Sequence, residues 1–384
     1  MDLPTGPGLM QELASRFDVP RVLHVLPSFA VGGAQVRFAA LANRFQGRWR
    51  HGVLSLNGDD ACAERIGTGV PLTMIPAPDL SRCTMPQRIW RIWQLLREWR
   101  PDVLVTGNWG SMEWAIANRL PPGIRHLHME DGFGPEEAVT QLRRRVLARQ
   151  WALRRSTVIL PSTRLLRLAQ EEWGLPPGAL RYIPNGIDLA RFSPDGPVAP
   201  LDIPGEGPVI GTVAALRPEK ALDRLLRACA LVMKSGTPFR LAIIGDGPQR
   251  PSLESLAEEL GLGDRVRFVG AMPDPAAAYR AFDLFALSSS TEQMPFSILE
   301  AMASGLAVAT TDVGDVRAML APENLGQVSA LSDVAFAAAL HALLVDTALR
   351  LAVGEANRAR AEREFDQEAM FQSYAVLLDG REIA

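Results

Sequence analysis

The chain has 384 residues, with 47% hydrophobic and 22% charged side chains and a formal net charge of −3. That length allows two folded cores, and the charge balance opposes bulk electrostatic binding to nucleic acid. Three scattered cysteines, Cys62, Cys83 and Cys229, oppose a disulfide framework or a zinc site and favour a reducing cytoplasm.

The segment from Met1 to Val19 lacks a basic-then-apolar leader pattern. Arg21–Leu26 then reads as a short buried strand. It runs into a loop carrying Gly32 and Gly33, followed by a helical pattern from Ala34 to Phe45. Strand, glycine turn and helix open a doubly wound domain. Further strands are expected at Gly52–Leu56, Val103–Thr106, Ile124–Met129 and Thr157–Leu160, with helices at Gln87–Trp99 and Thr163–Trp173. Asp195–Pro208 is rich in proline and glycine and reads as a flexible linker. A second series of strands follows at Val209–Ala214, Phe239–Ile244, Val266–Val269, Leu284–Ala286 and Ala307–Thr310. Helices are expected at Ala221–Lys234, Arg250–Leu260, Ile298–Ala303, Val334–Leu344, Asp346–Glu364 and Gln367–Leu378. No run reaches 18 apolar residues, so no membrane span is expected. The alternation implies an α/β fold of two Rossmann-like domains, divided near residue 195 and facing each other across a cleft. Ligands of such sheets bind beyond the carboxyl ends of the strands.

Common phosphate and hydrolase signatures are absent. The only lysines, Lys220 and Lys234, do not follow a glycine, so there is no Walker loop, and neither HExxH nor GxSxG occurs. Gly245-Asp246-Gly247 starts a dinucleotide pattern, but Arg250 stands at its third glycine position. A tight turn explains that fragment as well as ligand contact does.

The informative run is Ser288–Gly305, SSSTEQMPFSILEAMASG. Pro295 suits a helix start, so the amides of Phe296, Ser297 and Ile298 would face outward at a positive helix end, ready for a diphosphate. Glu300 would lie one turn in, placed to accept from a ribose diol, and Glu292 would lie in the loop beside an attached sugar. On spacing alone, surface positions for both glutamates fit equally well. In Gly211–Lys220, Arg217 and Lys220 flank Pro218 after the first strand of the second series. Two cations there suit a departing diphosphate, and a solvated loop fits the same residues.

Together, and in this order, RVLHVLPSFAVGGAQ, PNGID at Pro184–Asp188, GTVAALRPEK, IIGDGP, VRFVGAM and the E-x7-E run resemble the retaining glycosyltransferases of family 4, with the GT-B fold. The resemblance spans nearly the whole chain. It implies an acceptor-binding domain over residues 1–195 and a nucleotide-sugar-binding domain over 196–365, with residues 366–384 returning to the first domain. It places Arg217 and Lys220 on the diphosphate, Glu300 on the ribose and Glu292 on the donor sugar. Gly211, Gly245, Met294, Phe296 and Ser297 would line the donor site, Val269 and Met272 would border the base, and Gly32 and Gly33 would approach the diphosphate or acceptor. It further implies a UDP-linked donor, a sugar or lipid-linked acceptor, retention at the anomeric carbon, and neither metal nor other cofactor. The product would be cell-surface or extracellular polysaccharide, or glycolipid.

One departure stands out. Relatives often carry a histidine where Asp131 stands in His128-Met129-Glu130-Asp131-Gly132-Phe133-Gly134. An aspartate is the weaker base at neutral pH, so Asp131 and His128 are both candidates for the first-domain part of the catalytic site. A structural hydrogen bond explains His128 equally well. That change also keeps open a catalytically decayed sugar-nucleotide-binding protein, beside a nucleotide-sugar epimerase of the same fold. Arg143, Arg144, Arg145, Arg149, Arg154 and Arg155 scatter around a helical wheel. They read as a solvated helix, with peripheral contact at the inner membrane surface as the alternative.

Overall fold

A computed structural model describes residues 19–121, 123–133, 137 and 140–380. The expectation for Met1–Val19 lies outside this range except at its last residue, and Gly134 lies outside it too. The first domain is a seven-stranded sheet: β1 (Arg21–Leu26), β2 (Arg50–Ser55), β3 (Leu72–Met74), β4 (Val103–Gly107), β5 (Arg125–Met129), β6 (Thr157–Leu160) and β7 (Leu180–Tyr182). Its strands run parallel in the order β3-β2-β1-β4-β5-β6-β7. The helices between them are α1 (Gly33–Arg44), α2 (Met85–Trp99), α3 (Met112–Ala117), α4 (Arg143–Leu153) and α5 (Thr163–Glu171). The second sheet has six strands: β8 (Val209–Val213), β9 (Arg240–Ile244), β10 (Val266–Gly270), β11 (Leu284–Leu287), β12 (Ala307–Thr311) and β13 (Val328–Ser329). Its order is β10-β9-β8-β11-β12-β13, again parallel. Its helices are α6 (Leu222–Lys234), α7 (Arg250–Glu259), α8 (Ala276–Tyr279), α9 (Phe296–Ala303), α10 (Val316–Met319), α11 (Asp333–Val345), α12 (Thr347–Glu364) and α13 (Gln367–Leu378).

Both sheets thus share one strand order about a central pair, β1/β4 and β8/β11, and each reverses direction of winding there. Crevices at such reversals are where ligands enter doubly wound folds. The central strands are buried on both faces, which is why they read as continuous apolar runs instead of alternating ones. The short strands β3, β7 and β13 escaped the sequence reading. Each has two or three residues, and β3 and β7 are half exposed edge strands, so neither carries a run of apolar side chains. No single helix among the described residues is long and apolar enough to cross a membrane.

The last helix, α13, packs on the first sheet. Met370, Phe371, Tyr374 and Leu378 share a core with Val22, Val105, Leu127 and Ile159. Arg125 on β5 donates to the carbonyls of Leu377 and Leu378, closing the helix end. The chain therefore crosses between domains twice, and the two crossings pair: Ile187 donates to Phe365 at 2.8 Å and Gln367 donates to Ile187 at 3.1 Å. Gly186 makes this possible, because a Cβ there would sit 2.5 Å from Gln367 Cα. The segment expected to be a flexible linker is instead fastened to the second domain. Arg280 donates to the carbonyls of Arg191, Ser193 and Pro197, Ala199 pairs with Ala277, and Ile203 is buried.

Candidate active site

The loops beyond β8 and β11 are stitched to each other. Lys220 Nζ donates to Glu292 Oε1 at 2.6 Å, and Ser289 Oγ donates to the same oxygen at 2.8 Å. Ser290 N donates to Glu219 O, Ser288 Oγ to Lys220 O, and Arg224 to Ser288 O. Ala221 follows in the left-handed region at φ 45°. Such a conformation costs a residue with a Cβ about 1–3 kcal/mol and is tolerated where the surroundings over-determine it; here it turns Lys220 back toward Glu292. Arg217 lies exposed on the same loop, and its side chain has no hydrogen bond or ion pair among the described residues. The two runs singled out in the sequence therefore converge, with Lys220 and Glu292 holding one another.

Pro295 caps α9, as its fixed φ and missing N–H favour. The Ile298 amide turns back to Pro295 O at 3.2 Å, so of the three amides expected to face outward it is already engaged. Glu300, one turn in, accepts from Tyr279 Oη at 2.6 Å. Burial pushes its carboxyl above the usual range, against the Tyr279 hydrogen bond and the charge of Arg191, which lower it. Burial likewise holds the Tyr279 phenol well above its usual value. Val269 and Met272 pack at the outer strand β10, against the same core as Met294 and Ile298.

Across the cleft, Gly32 caps α1, and a Cβ on Gly33 would lie 2.6 Å from the Phe296 ring. The amino ends of α1 and α9 thus meet, one from each domain, and both carry positive partial charge. Behind Gly33, Arg37 is buried and bonded to three elements. Its Nη2 pairs with Asp131 at 2.8 Å, its Nη1 donates to Asn185 Oδ1 at 2.5 Å, and its guanidinium lies over the Tyr374 ring. Asn185 in turn donates to the Met294 carbonyl at 2.9 Å. Asn108, at φ 54°, accepts from the Asp131 amide. A second bridge comes from Asp315, whose carboxylate takes the amides of Thr163 and Arg164 at the start of α5 while its own N–H reaches Gln293 O.

Comparison with known proteins shows the family. Residues 31–191 match the family described as Glycosyltransferase Family 4, and residues 198–360 match Glycosyl transferases group 1. The chain belongs to glycosyltransferase family 4, with the GT-B fold. It is 29% identical over 244 residues to 2-deoxystreptamine glucosyltransferase of Streptomyces kanamyceticus, an alignment covering 58% of this chain and 62% of that protein. It is 29% identical over 323 residues to 2-deoxystreptamine N-acetyl-D-glucosaminyltransferase of Streptomyces fradiae, covering 75% and 76%. Among solved structures, Anabaena HepE in complex with UDP and glucose superposes with a TM-score of 0.77 at 21% identity, over 94% of this chain and all of that one.

Within the family-4 frame, several expected residues have other work. His128 is fully buried on β5, with Nδ1 2.7 Å from Thr106 Oγ1, and does not face the cleft. Asp131 lies at the surface of the same region, with its carboxylate ion-paired to Arg37. Gly211 lies inside β8, where a Cβ would strike the Phe282 ring at 2.1 Å, so packing and not donor contact requires glycine there. Gly245 has φ 132° and passes so close to the Ala214 carbonyl that a Cβ would sit 1.8 Å from it; it locks the loops after β8 and β9 together. The helix α4 is solvated only in part: Arg143, Arg144, Arg154 and Arg155 are exposed as expected, but the other two arginines of that stretch are not. Arg145 and Arg149 are buried and paired with Glu137, Arg149 also reaches Glu130, and it stacks on Trp109 and Trp173. Arg37, Asn108, Asn185, Tyr279 and Asp315 carried no assigned role in the sequence. Only Asn185, inside PNGID, stood in a motif that could have drawn attention.

Proposed function

We propose that this protein transfers a sugar from a UDP-linked donor, held by the second domain, to a hydroxylated acceptor held by the first. The observation that carries this reading is the convergence of Lys220 and Glu292 with the amino end of α9 beyond the carboxyl ends of the central strands β8 and β11, with Arg217 exposed on the same loop and Glu300 one turn behind. Arg217, Lys220 and the outward amides of Phe296 and Ser297 supply positive charge where a pyrophosphate leaves. Glu300 suits the ribose diol and Glu292 a hydroxyl of the donor sugar. The solved Anabaena relative with UDP and glucose supports this class of donor.

In the proposed reaction the acceptor oxygen attacks the anomeric carbon from the face the pyrophosphate leaves. The C–O bond to phosphate breaks, the new glycosidic bond forms, and the acceptor proton passes to the departing phosphate oxygen. Configuration is retained. The basic side chains and helix end balance the growing phosphate charge, so the reaction is expected to persist in chelator. The acceptor is a sugar or lipid-linked glycan in polysaccharide or glycolipid synthesis on the cytoplasmic side. Contact with an anionic membrane fits the first domain. Residues 1–195 hold 24 basic and 18 acidic side chains, a balance of +6 against −9 for the remainder. Exposed Trp151 and Leu147 also stand beside Arg119, Arg154 and Arg155.

The decisive experiment incubates the protein and its Glu300→Ala and Lys220→Ala variants with UDP-sugars and an acceptor panel. UDP release by the parent, with loss in both variants at unchanged melting temperature, is expected. Full activity in both variants would overturn the site. Donor epimerised without acceptor would instead mark an epimerase.

A further inference from the structure

Glu300 does not stand alone. The phenol of Tyr279, on α8, donates to Glu300 Oε2 at 2.6 Å and also lies 3.3 Å from the Ser297 carbonyl, at the start of the same helix. Tyr279 is fully buried, and its ring is fixed edge-on by Phe192 and Phe282, with Phe285 tilted against it. A ring so enclosed has one position for its hydroxyl, and that hydroxyl reaches one carboxylate oxygen. The other oxygen has no hydrogen-bond donor among the described residues. We infer that Tyr279 is a positioning residue for the donor site: it fixes one oxygen of Glu300 so that the other is presented to the ribose diol. The inference rests on the reading of Glu300 as the ribose ligand.

A carboxylate does this work only when ionised. The groups that bear on Glu300 come from each neighbouring element. Tyr279 belongs to α8, Asp274 precedes α8, and Arg191, from the crossing segment, is paired with Asp274 at 2.9 Å. From α12, Arg358 engages the Ala303 carbonyl at the far end of α9 and is paired with Glu362. Burial raises the Glu300 carboxyl, while Tyr279 and Arg191 lower it. Removing the phenol oxygen alone removes one lowering contribution, so the carboxyl moves further up. Donor binding, present while Glu300 is ionised, is then lost at a higher pH as the solution is acidified.

The test measures UDP affinity by calorimetry from pH 5 to 9 for the parent, Tyr279→Phe and Glu300→Gln. Tyr279→Phe keeps the ring and its packing, so the fold is retained. The expected result is roughly tenfold weaker binding at neutral pH, the scale of one hydrogen bond to a charged group, with the acidic limb moved to higher pH. Glu300→Gln should bind weakly and without that limb. An unshifted limb in Tyr279→Phe overturns the positioning role while leaving the ribose reading intact. UDP binding by Glu300→Gln at parental strength and pH dependence overturns the ribose reading itself, and the inference with it.

Discussion

On the second-domain side of the cleft, the charged residues come from two continuous runs, 211–220 and 288–300: Arg217 is exposed, Lys220 and Glu292 are paired with each other, and Glu300 is held by Tyr279. On the first-domain side, Arg37, Asn108, Asp131 and Asn185 come from four separate segments and are spent on one another. A comparable contrast runs deeper. The first domain buries His24, His51, His126, His128, Glu130 and Arg149, whereas the second buries mostly amides and hydroxyls beside an apolar core. The difference teaches a division of labour. In the first domain charged groups hold shape deep in the fold, and in the second they gather in the loops at the cleft. If that is right, substitutions on one side should cost stability and on the other turnover.

The largest effect is expected at Arg149. Its guanidinium, with no exposed surface, neutralises Glu130 and Glu137, which are also enclosed. Removing one partner of such a group leaves uncompensated buried charge, which costs about 3–5 kcal/mol. Arg149→Met should therefore lower the urea midpoint sharply, in tryptophan fluorescence above all, because all eight tryptophans lie in the first domain. A shift worth under about 1 kcal/mol would break the comparison.

Lys220→Ala should do the opposite. Lys220 is partly exposed, and its partner Glu292 keeps the Ser289 hydroxyl. Loss of a preorganised charge at the leaving group typically costs about 10²–10³ in kcat, and melting should barely move. Turnover and stability falling together would mean that this loop, too, is structural.

Acid should separate the domains. Burial holds the His126 imidazole down near about 3 and His51 near about 4, and lowers His24 well below its usual value. All three are neutral in the folded domain. The unfolded chain takes up protons on them below about 6.5, so stability is full above that pH and is lost as pH falls toward the folded values. The second domain's only histidine, His341, is not fully buried. Tryptophan fluorescence should report first-domain unfolding between about pH 6.5 and 3, while amides of β8–β12 stay protected in hydrogen exchange. His126→Gln should move that loss to lower pH. Simultaneous loss of both domains at one pH, unchanged by this substitution, would show that buried histidines do not set the contrast.

The same contrast explains what could be read from the sequence. Paired β/α runs fixed the fold class, because buried parallel strands announce themselves as apolar stretches. Glu292, Glu300, Arg217 and Lys220 could be singled out because each pair sits in one short run, the glutamates on either side of Pro295, which begins α9, and the cations on either side of Pro218. Arg37 was not, since an arginine at mid-helix looks like any solvated one until Asp131 and Asn185 are brought to it from 94 and 148 residues away. Tyr279 was hidden for the same reason, 21 residues from Glu300 on a four-residue helix. His128 and Gly211 misled because residue type pointed to chemistry where the strand interior needed a hydrogen bond and an absent side chain.

The smallest effect tests one of the places where the two walls touch. Gly33 faces the Phe296 ring with room for no Cβ, at 2.6 Å. Its backbone is not in the left-handed region, so alanine meets no conformational penalty and only the contact is probed. Gly33→Ala should push the rim of α1 away from α9, an overpacking strain of about 1 kcal/mol. The donor KM should then rise severalfold while thermal stability is retained, because the strain falls between domains and not within either core. Phe296→Leu in the same chain gives the added methyl space and should restore most of the lost affinity. A Gly33→Ala protein with parental kinetics would mean that the cleft works in a more open arrangement, with Gly33 and Phe296 apart when the donor is bound.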